Sequence, residues 1–131
     1  QHLNRKLDGL RAHFTGPVHL PMLLDWLRTD WHAQLAADFV PRCLVRRLAG
    51  DIGSGIPEEP VRAAMNSLAS ALAGAIANGQ QVGSLYLDLD ATAAAWHILD
   101  LWHGASTRAL ALRDDSAPRA AIVHLEAWLK P

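Results

Sequence analysis

The chain has little of several residue types, and each shortage excludes a class of protein. It contains one cysteine, Cys43, so it cannot form an intramolecular disulfide, and we expect a reducing, cytoplasmic location. No apolar run approaches the ~20 residues that span a bilayer, so we expect no membrane partner. Twelve Lys and Arg against 13 Asp and Glu leave a net charge of -1. A chain with this charge offers no basic surface for a phosphate backbone and should not bind DNA by itself.

What the chain does contain favours helices. Half of its 131 residues are hydrophobic, which predicts one domain, residues 1–131, with a sizeable core. Alanine and leucine are abundant, β-branched residues are sparse, and apolar positions recur at spacings of three and four. We therefore predict an all-α fold. The chain starts with Gln1 and has no signal-like stretch, so we expect it to be part of a longer protein.

About six helices are predicted, separated by turns that contain glycine or proline. The first covers residues 3–14 and ends at the Thr-Gly-Pro turn 15–17. The second covers residues 19–38. The third has Pro41 in its first turn and ends at the turn 53–57.

The last three helices have the clearest patterns. The fourth covers residues 60–78, and Asp88 or Asp90 would cap the fifth. The sixth is short, follows the turn 114–118 and presents Ile122, Leu125, Trp128 and Leu129. The fifth helix carries apolar residues on two faces, so it must be covered on two sides.

From Cys43 onward, the chain resembles the C-terminal domain of TetR-family regulators. Residues 42–51, Arg-Cys-Leu-Val-Arg-Arg-Leu-Ala-Gly-Asp, are similar to a Gly-Cys-Leu-x-x-Asn-Leu-Ala-x-Glu helix of that family, with Arg42, Arg47 and Asp51 as departures. Residues 61–85 resemble its long helix and closing Ala-x-x-x-Gly-x-Leu turn. Residues 90–105 look like its next helix, which contains a Gly-Ala pair. The resemblance covers about two-thirds of the chain.

The resemblance implies a function as well as a fold. In that family the last two helices of each subunit form a four-helix bundle in a homodimer, and the earlier helices enclose a small-molecule pocket. They connect to an N-terminal helix-turn-helix, which this chain lacks. The chain would then be the effector-binding and dimerisation domain of a transcriptional regulator or repressor, and it would reach DNA only through that missing part. The two apolar faces of the fifth helix independently require a partner surface.

The predicted pocket lies between the second and fifth helices. Large aromatic side chains and a flexible thioether suit a small, mainly apolar or aromatic effector, although the same residues would also make an ordinary core. The predicted ligand-binding residues are Trp31, Cys43, Arg47, Met65, Leu68, Trp96, Leu99, Asp100 and His103.

The predicted dimer interface uses the last two helices. Small side chains at Gly104 and Ala105 would let two helices approach closely. The predicted interface residues are Leu101, Gly104, Ala105, Arg108, Leu112, Leu125 and Trp128.

Two alternatives remain open at this stage. A structural dimerisation domain would share the bundle but have no pocket. A small metal-dependent enzyme would use His97, Asp100 and His103, which follow each other at steps of three. Steps of three drift around a helix, however, and no HExxH or CxxC motif accompanies them. We therefore expect no metal, no cofactor and no catalytic residue.

Overall fold

A computed structural model describes residues 18–36 and 58–131 of the chain. These two ranges contain four helices and no strand: α1 (Leu20–Ala36), α2 (Glu58–Gln81), α3 (Ala91–Leu112) and α4 (Ser116–Leu129). They correspond to the second, fourth, fifth and sixth predicted helices. The all-α class is confirmed, but the count of about six is not matched. The first and third predicted helices lie outside the described residues.

The helix α3 lies at the centre of the packing. It contacts both α2 and α4, and α1 packs against α4. Helix α3 therefore packs against two helices of the same chain, but Leu112 near its end is 66% exposed. The largest fully buried side chains of the core come from all four helices and from the loop after α2; they are Leu23, Leu27, Leu68, Leu72, Ile76, Leu85, Ile98, Leu99, Trp102 and Leu125. None of the described helices is long and apolar enough to cross a membrane.

Local hydrogen bonds fix both ends of α3. Asp90 is the N-cap, and its Oδ2 accepts a hydrogen bond from the N–H of Ala93 at 2.9 Å, in agreement with the predicted cap at Asp88 or Asp90. Arg113 ends the helix in a left-handed conformation with φ of 52°. The next residue, Asp114, accepts a 2.7 Å hydrogen bond from the N–H of Ser116, and this bond lowers the pKa of the Asp114 carboxyl.

The end of α2 and the loop after it are bonded to the start of α1 and to Val18 before it. The N–H of Val18 donates to Asn78 Oδ1 at 3.2 Å, and the N–H of Leu20 donates to Ser84 Oγ at 2.6 Å. Gly79 allows this close approach. A Cβ added to it would lie 2.6 Å from Leu85 Cδ1 and 3.1 Å from the carbonyl oxygen of Val18.

Hydrogen bonds from the Gln80 side chain and to the end of α4 help to hold the 82–90 loop. Gln80 Nε2 donates to the carbonyl oxygens of Tyr86 at 3.0 Å and Leu89 at 2.7 Å. The N–H of Tyr86 donates to the carbonyl oxygen of Leu129 at 2.8 Å. The loop therefore connects the end of α2 to the end of α4.

Candidate functional site

The residues predicted to bind a ligand differ in burial. Leu68, Leu99 and Trp31 belong to the buried core, with exposures of 0%, 1% and 7%. Met65, Trp96 and His103 are partly buried, and Trp96 packs against the core. The predicted Cys43 and Arg47 lie outside the described residues. The structure thus brings three of the predicted residues into one core and leaves three others at its boundary.

A hydrogen bond between α1 and α3 lies next to these residues and was not predicted. Trp102 is 1% exposed, and its Nε1–H donates to Asp30 Oδ2 at 2.8 Å. The bond places the second half of α1, which carries Trp31, beside the middle of α3, which carries His103. A buried indole N–H usually needs a hydrogen-bond acceptor, so the sequence predicts that Trp102 has one. The sequence does not identify Asp30 as that acceptor.

A groove lies between α3 and α4 on the exposed side of α3. Its volume is about 450 Å³, and it is lined by Asp100, Leu101, Gly104, Ala105, Arg108, Ala117, Ala120, Ala121 and His124. We call this surface the α3/α4 groove. Four of its residues were predicted for the dimer interface, and Asp100 was predicted for the ligand pocket.

The other three predicted interface residues do not line the α3/α4 groove. Leu112 is 66% exposed, and Trp128 is partly buried. Leu125 is 0% exposed, because it packs into the core of its own chain. Leu125 therefore contributes to the stability of α4 rather than to the exposed lining of the groove.

Gly104 has no packing requirement within its own chain. A Cβ added to it would meet nothing within 4 Å, and the residue is exposed. Glycine in the interior of a helix is less favourable than alanine by about 1 kcal/mol. The described residues therefore contain no contact that favours glycine over alanine at this position.

Three rings form a cluster beside the Asp100 end of the α3/α4 groove. The ring of His97 lies 4.6 Å from that of Trp128 and 5.9 Å from that of His124, measured between centroids. His124 and Trp128 are nearly parallel at 6.4 Å. Among the described residues, no three or more His, Cys, Asp or Glu side chains come close enough together to hold a metal ion.

The chain was compared with known proteins. A family model described as "Tetracyclin repressor-like, C-terminal domain" matches residues 24–125. The matched range includes most of α1, all of α2 and α3, and α4 as far as Leu125. Neither the curated proteins nor the solved structures gave a match.

Proposed function

Because this chain belongs to the family of tetracycline-repressor-like C-terminal domains, we propose that it is the effector-binding and dimerisation domain of a transcriptional regulator. A small, mainly apolar or aromatic molecule binds it and changes the relative orientation of two subunits. That change alters the DNA affinity of a helix-turn-helix outside the sequence described here. The mechanism shifts a population between two states and needs no covalent chemistry.

The observation that carries the proposal is the α3/α4 groove. Its lining is mostly small side chains, and it lies on the last two helices, where the family implies dimerisation. A two-fold contact would cover this surface with its own copy, so that each subunit fills the groove of the other. Small side chains on both sides allow helix axes to approach to about 8 Å.

Replacing Gly104 tests the dimer with little effect on the isolated subunit. The Gly104→Glu side chain begins in open space within one subunit, but two copies would place two carboxylates in the contact. Gly74→Glu is the matched control, because Gly74 is also an exposed helical glycine with nothing within 4 Å of an added Cβ, and it does not line the groove.

We expect analytical ultracentrifugation to give a dimer for the wild type and for Gly74→Glu at micromolar concentration. Gly104→Glu should be monomeric, with an unchanged helical circular-dichroism spectrum. A wild-type chain that stays monomeric at this concentration would contradict the proposed dimer.

The effector site is proposed beside the hydrogen bond between Trp102 and Asp30. This bond joins α1 to α3, and the partly buried His103 follows Trp102 directly. Met65 on α2 is also partly buried, and a thioether adapts its shape to different apolar ligands. A ligand among Trp31, Met65 and His103 would contact three helices, so its binding would respond to their relative positions.

Thermal unfolding against a library of small aromatic and apolar compounds tests this site. A ligand at 100 times its dissociation constant stabilises the folded state by about 2.7 kcal/mol. We expect at least one compound to raise the melting temperature and Met65→Ala to reduce that rise. The exposed Leu87→Ala, on the 82–90 loop, should not reduce it. A dimer that no compound stabilises would favour a structural dimerisation domain.

A further inference from the structure

We propose that the two copies of α3 cross antiparallel at Gly104, so that Asp100 of each subunit pairs with Arg108 of the partner subunit. The inference rests on the proposed dimer and goes beyond it, because it assigns the direction and the register of the contact. It also assigns the charged residues that select a second copy of this chain as the partner.

The positions of the two charges are symmetric about Gly104. Asp100 lies four residues before it and Arg108 four residues after it, so each is about 6 Å from it along the helix axis. Both charged residues are exposed, and all three residues line the α3/α4 groove. One face of α3 therefore carries a negative end, a small centre and a positive end.

This arrangement of charge selects one orientation of a second copy. A two-fold contact makes every pair occur twice. If Asp100 contacts Arg108 of the partner subunit, then Arg108 also contacts Asp100 of the partner subunit. An antiparallel crossing at Gly104 brings opposite charges together twice. A parallel contact in the same register would instead place Asp100 against its own copy and Arg108 against its own copy, and both contacts would be repulsive. Charge complementarity therefore favours the antiparallel contact.

The missing side chain at Gly104 supports the same crossing point. Nothing within its own chain lies within 4 Å of an added Cβ, although glycine weakens a helix. Ala105, Ala120 and Ala121 extend the surface of small side chains around it. A helix that crosses at this point approaches closely, which brings the longer side chains of Asp100 and Arg108 within reach of the second copy.

The charged residues near Asp100 and Arg108 leave both of them available to pair with a second copy. Within the described residues, the ion pairs are Arg62 with Glu59, Arg119 with Asp115, and Lys130 with Glu126. Asp100 and Arg108 take no part in them. Arg108 has a minor lowering effect on the pKa of Asp114, after the hydrogen bonds of Ser116 and the charge of Arg119. The imidazole of His124 lines the groove together with both residues.

Charge reversal at the two positions tests the pairing. Asp100→Arg alone gives two contacts between arginines, and Arg108→Asp alone gives two contacts between aspartates. We expect each single variant to raise the dissociation constant of its homodimer about tenfold, which corresponds to about 1.4 kcal/mol. Mixed in equal amounts, the two variants should form a heterodimer as tight as the wild type, because both of its pairs again join opposite charges. Native mass spectrometry with one subunit carrying a mass tag distinguishes the heterodimer.

The double variant Asp100→Arg/Arg108→Asp should also recover the wild-type dissociation constant. Glu59→Arg and Arg62→Asp are the controls, because they make the same changes of charge on the exposed surface of α2 and should leave the dimer unchanged. Circular dichroism of every variant confirms that the chain remains folded.

The outcomes separate the pairing from the dimer itself. A wild-type chain that stays monomeric overturns both the proposed dimer and the pairing. A wild-type dimer with single variants that associate as tightly as it does overturns the pairing alone. Weakened single variants that fail to recover on mixing also overturn the pairing, since they show that each charge acts without the other.

Discussion

At the scale of single residues, the absence of a side chain at Gly79 lets the end of α2 pack closely against Val18 and Leu85. The Gly79→Ala variant should lower the free energy of unfolding by about 1–3 kcal/mol, because the new methyl group would overlap Leu85. Leu85 is 1% exposed and cannot move away easily, and the carbonyl oxygen of Val18 lies only 3.1 Å from the added Cβ. Urea unfolding followed by circular dichroism measures the change.

Gly74→Ala is the control for this prediction, because an added Cβ there meets nothing within 4 Å. It should raise the free energy of unfolding by about 0.5–1 kcal/mol through helix propensity alone. If both substitutions changed the free energy of unfolding by the same amount, the close contact between Gly79 and Leu85 would not require glycine.

The hydrogen bond from Trp102 to Asp30 gives a second prediction at this scale. Trp102→Phe removes the N–H donor and part of a fully buried ring, so we expect a loss of about 1–3 kcal/mol in the free energy of unfolding. Trp96→Phe changes a partly buried ring and should cost less than about 1 kcal/mol. Denaturant unfolding of both variants compares them. The bond would be unimportant to stability if the two losses were the same.

At the scale of the helix, the N-termini of α3 and α4 differ in their caps. The Asp90 side chain caps α3, whereas the Asp115 side chain at the start of α4 makes no cap hydrogen bond and instead pairs with the exposed Arg119. We expect Asp90→Ala to lower the free energy of unfolding by about 1 kcal/mol and Asp115→Ala by less than about 0.5 kcal/mol. Chemical denaturation measures both. Asp90→Asn keeps a capping oxygen and should stay close to the wild type, so a large loss in this variant would contradict the cap.

The sequence predicts the positions of the described helices well, because each helix carries its own apolar period. The predicted ranges 19–38 and 60–78 differ by three residues or fewer at each end from Leu20–Ala36 and Glu58–Gln81. The apolar stripe through Leu20, Leu24, Leu27 and Trp31 does not include Trp26, which is nevertheless only 5% exposed. Whether a second face of α1 is buried depends on how the neighbouring helices pack. The spacing of apolar residues along the sequence does not show that packing.

Contacts between distant parts of the chain were not predictable. The bond from Trp102 to Asp30 spans 72 positions, and the bond from Leu20 to Ser84 spans 64. Hydrogen-bonding groups of these kinds occur at many positions, and only the fold selects the pairs. The same reason separates the predicted site residues: Leu68 and Leu99 lie in the core, whereas Asp100 lies in the exposed α3/α4 groove. Helix period alone did not assign these residues to different surfaces.

At the scale of the whole molecule, Gly104→Ala should affect the subunit and the dimer in opposite directions. The added methyl group increases helix propensity and should stabilise the isolated subunit by about 0.5–1 kcal/mol. It also adds two methyl groups where we propose that the helices cross, so the dissociation constant of the dimer should rise. Unfolding at low protein concentration measures the first effect, and sedimentation equilibrium measures the second. Unchanged or tighter association would contradict a close crossing at Gly104.

The hydrogen bonds around Asn78, Ser84 and Tyr86 also determine where the subunit can bend. They join the start of α1, the end of α2 and the end of α4, so this end of the molecule resists shear. A rotation of α1 relative to α2 that keeps these bonds would therefore pivot at this end. Trp31 lies eleven residues beyond Leu20, about 16 Å along α1, and Met65 lies sixteen residues before Gln81, about 24 Å along α2. Because displacement grows with distance from a pivot, a small rotation at the fixed end opens or closes the space near Trp31 and Met65 the most.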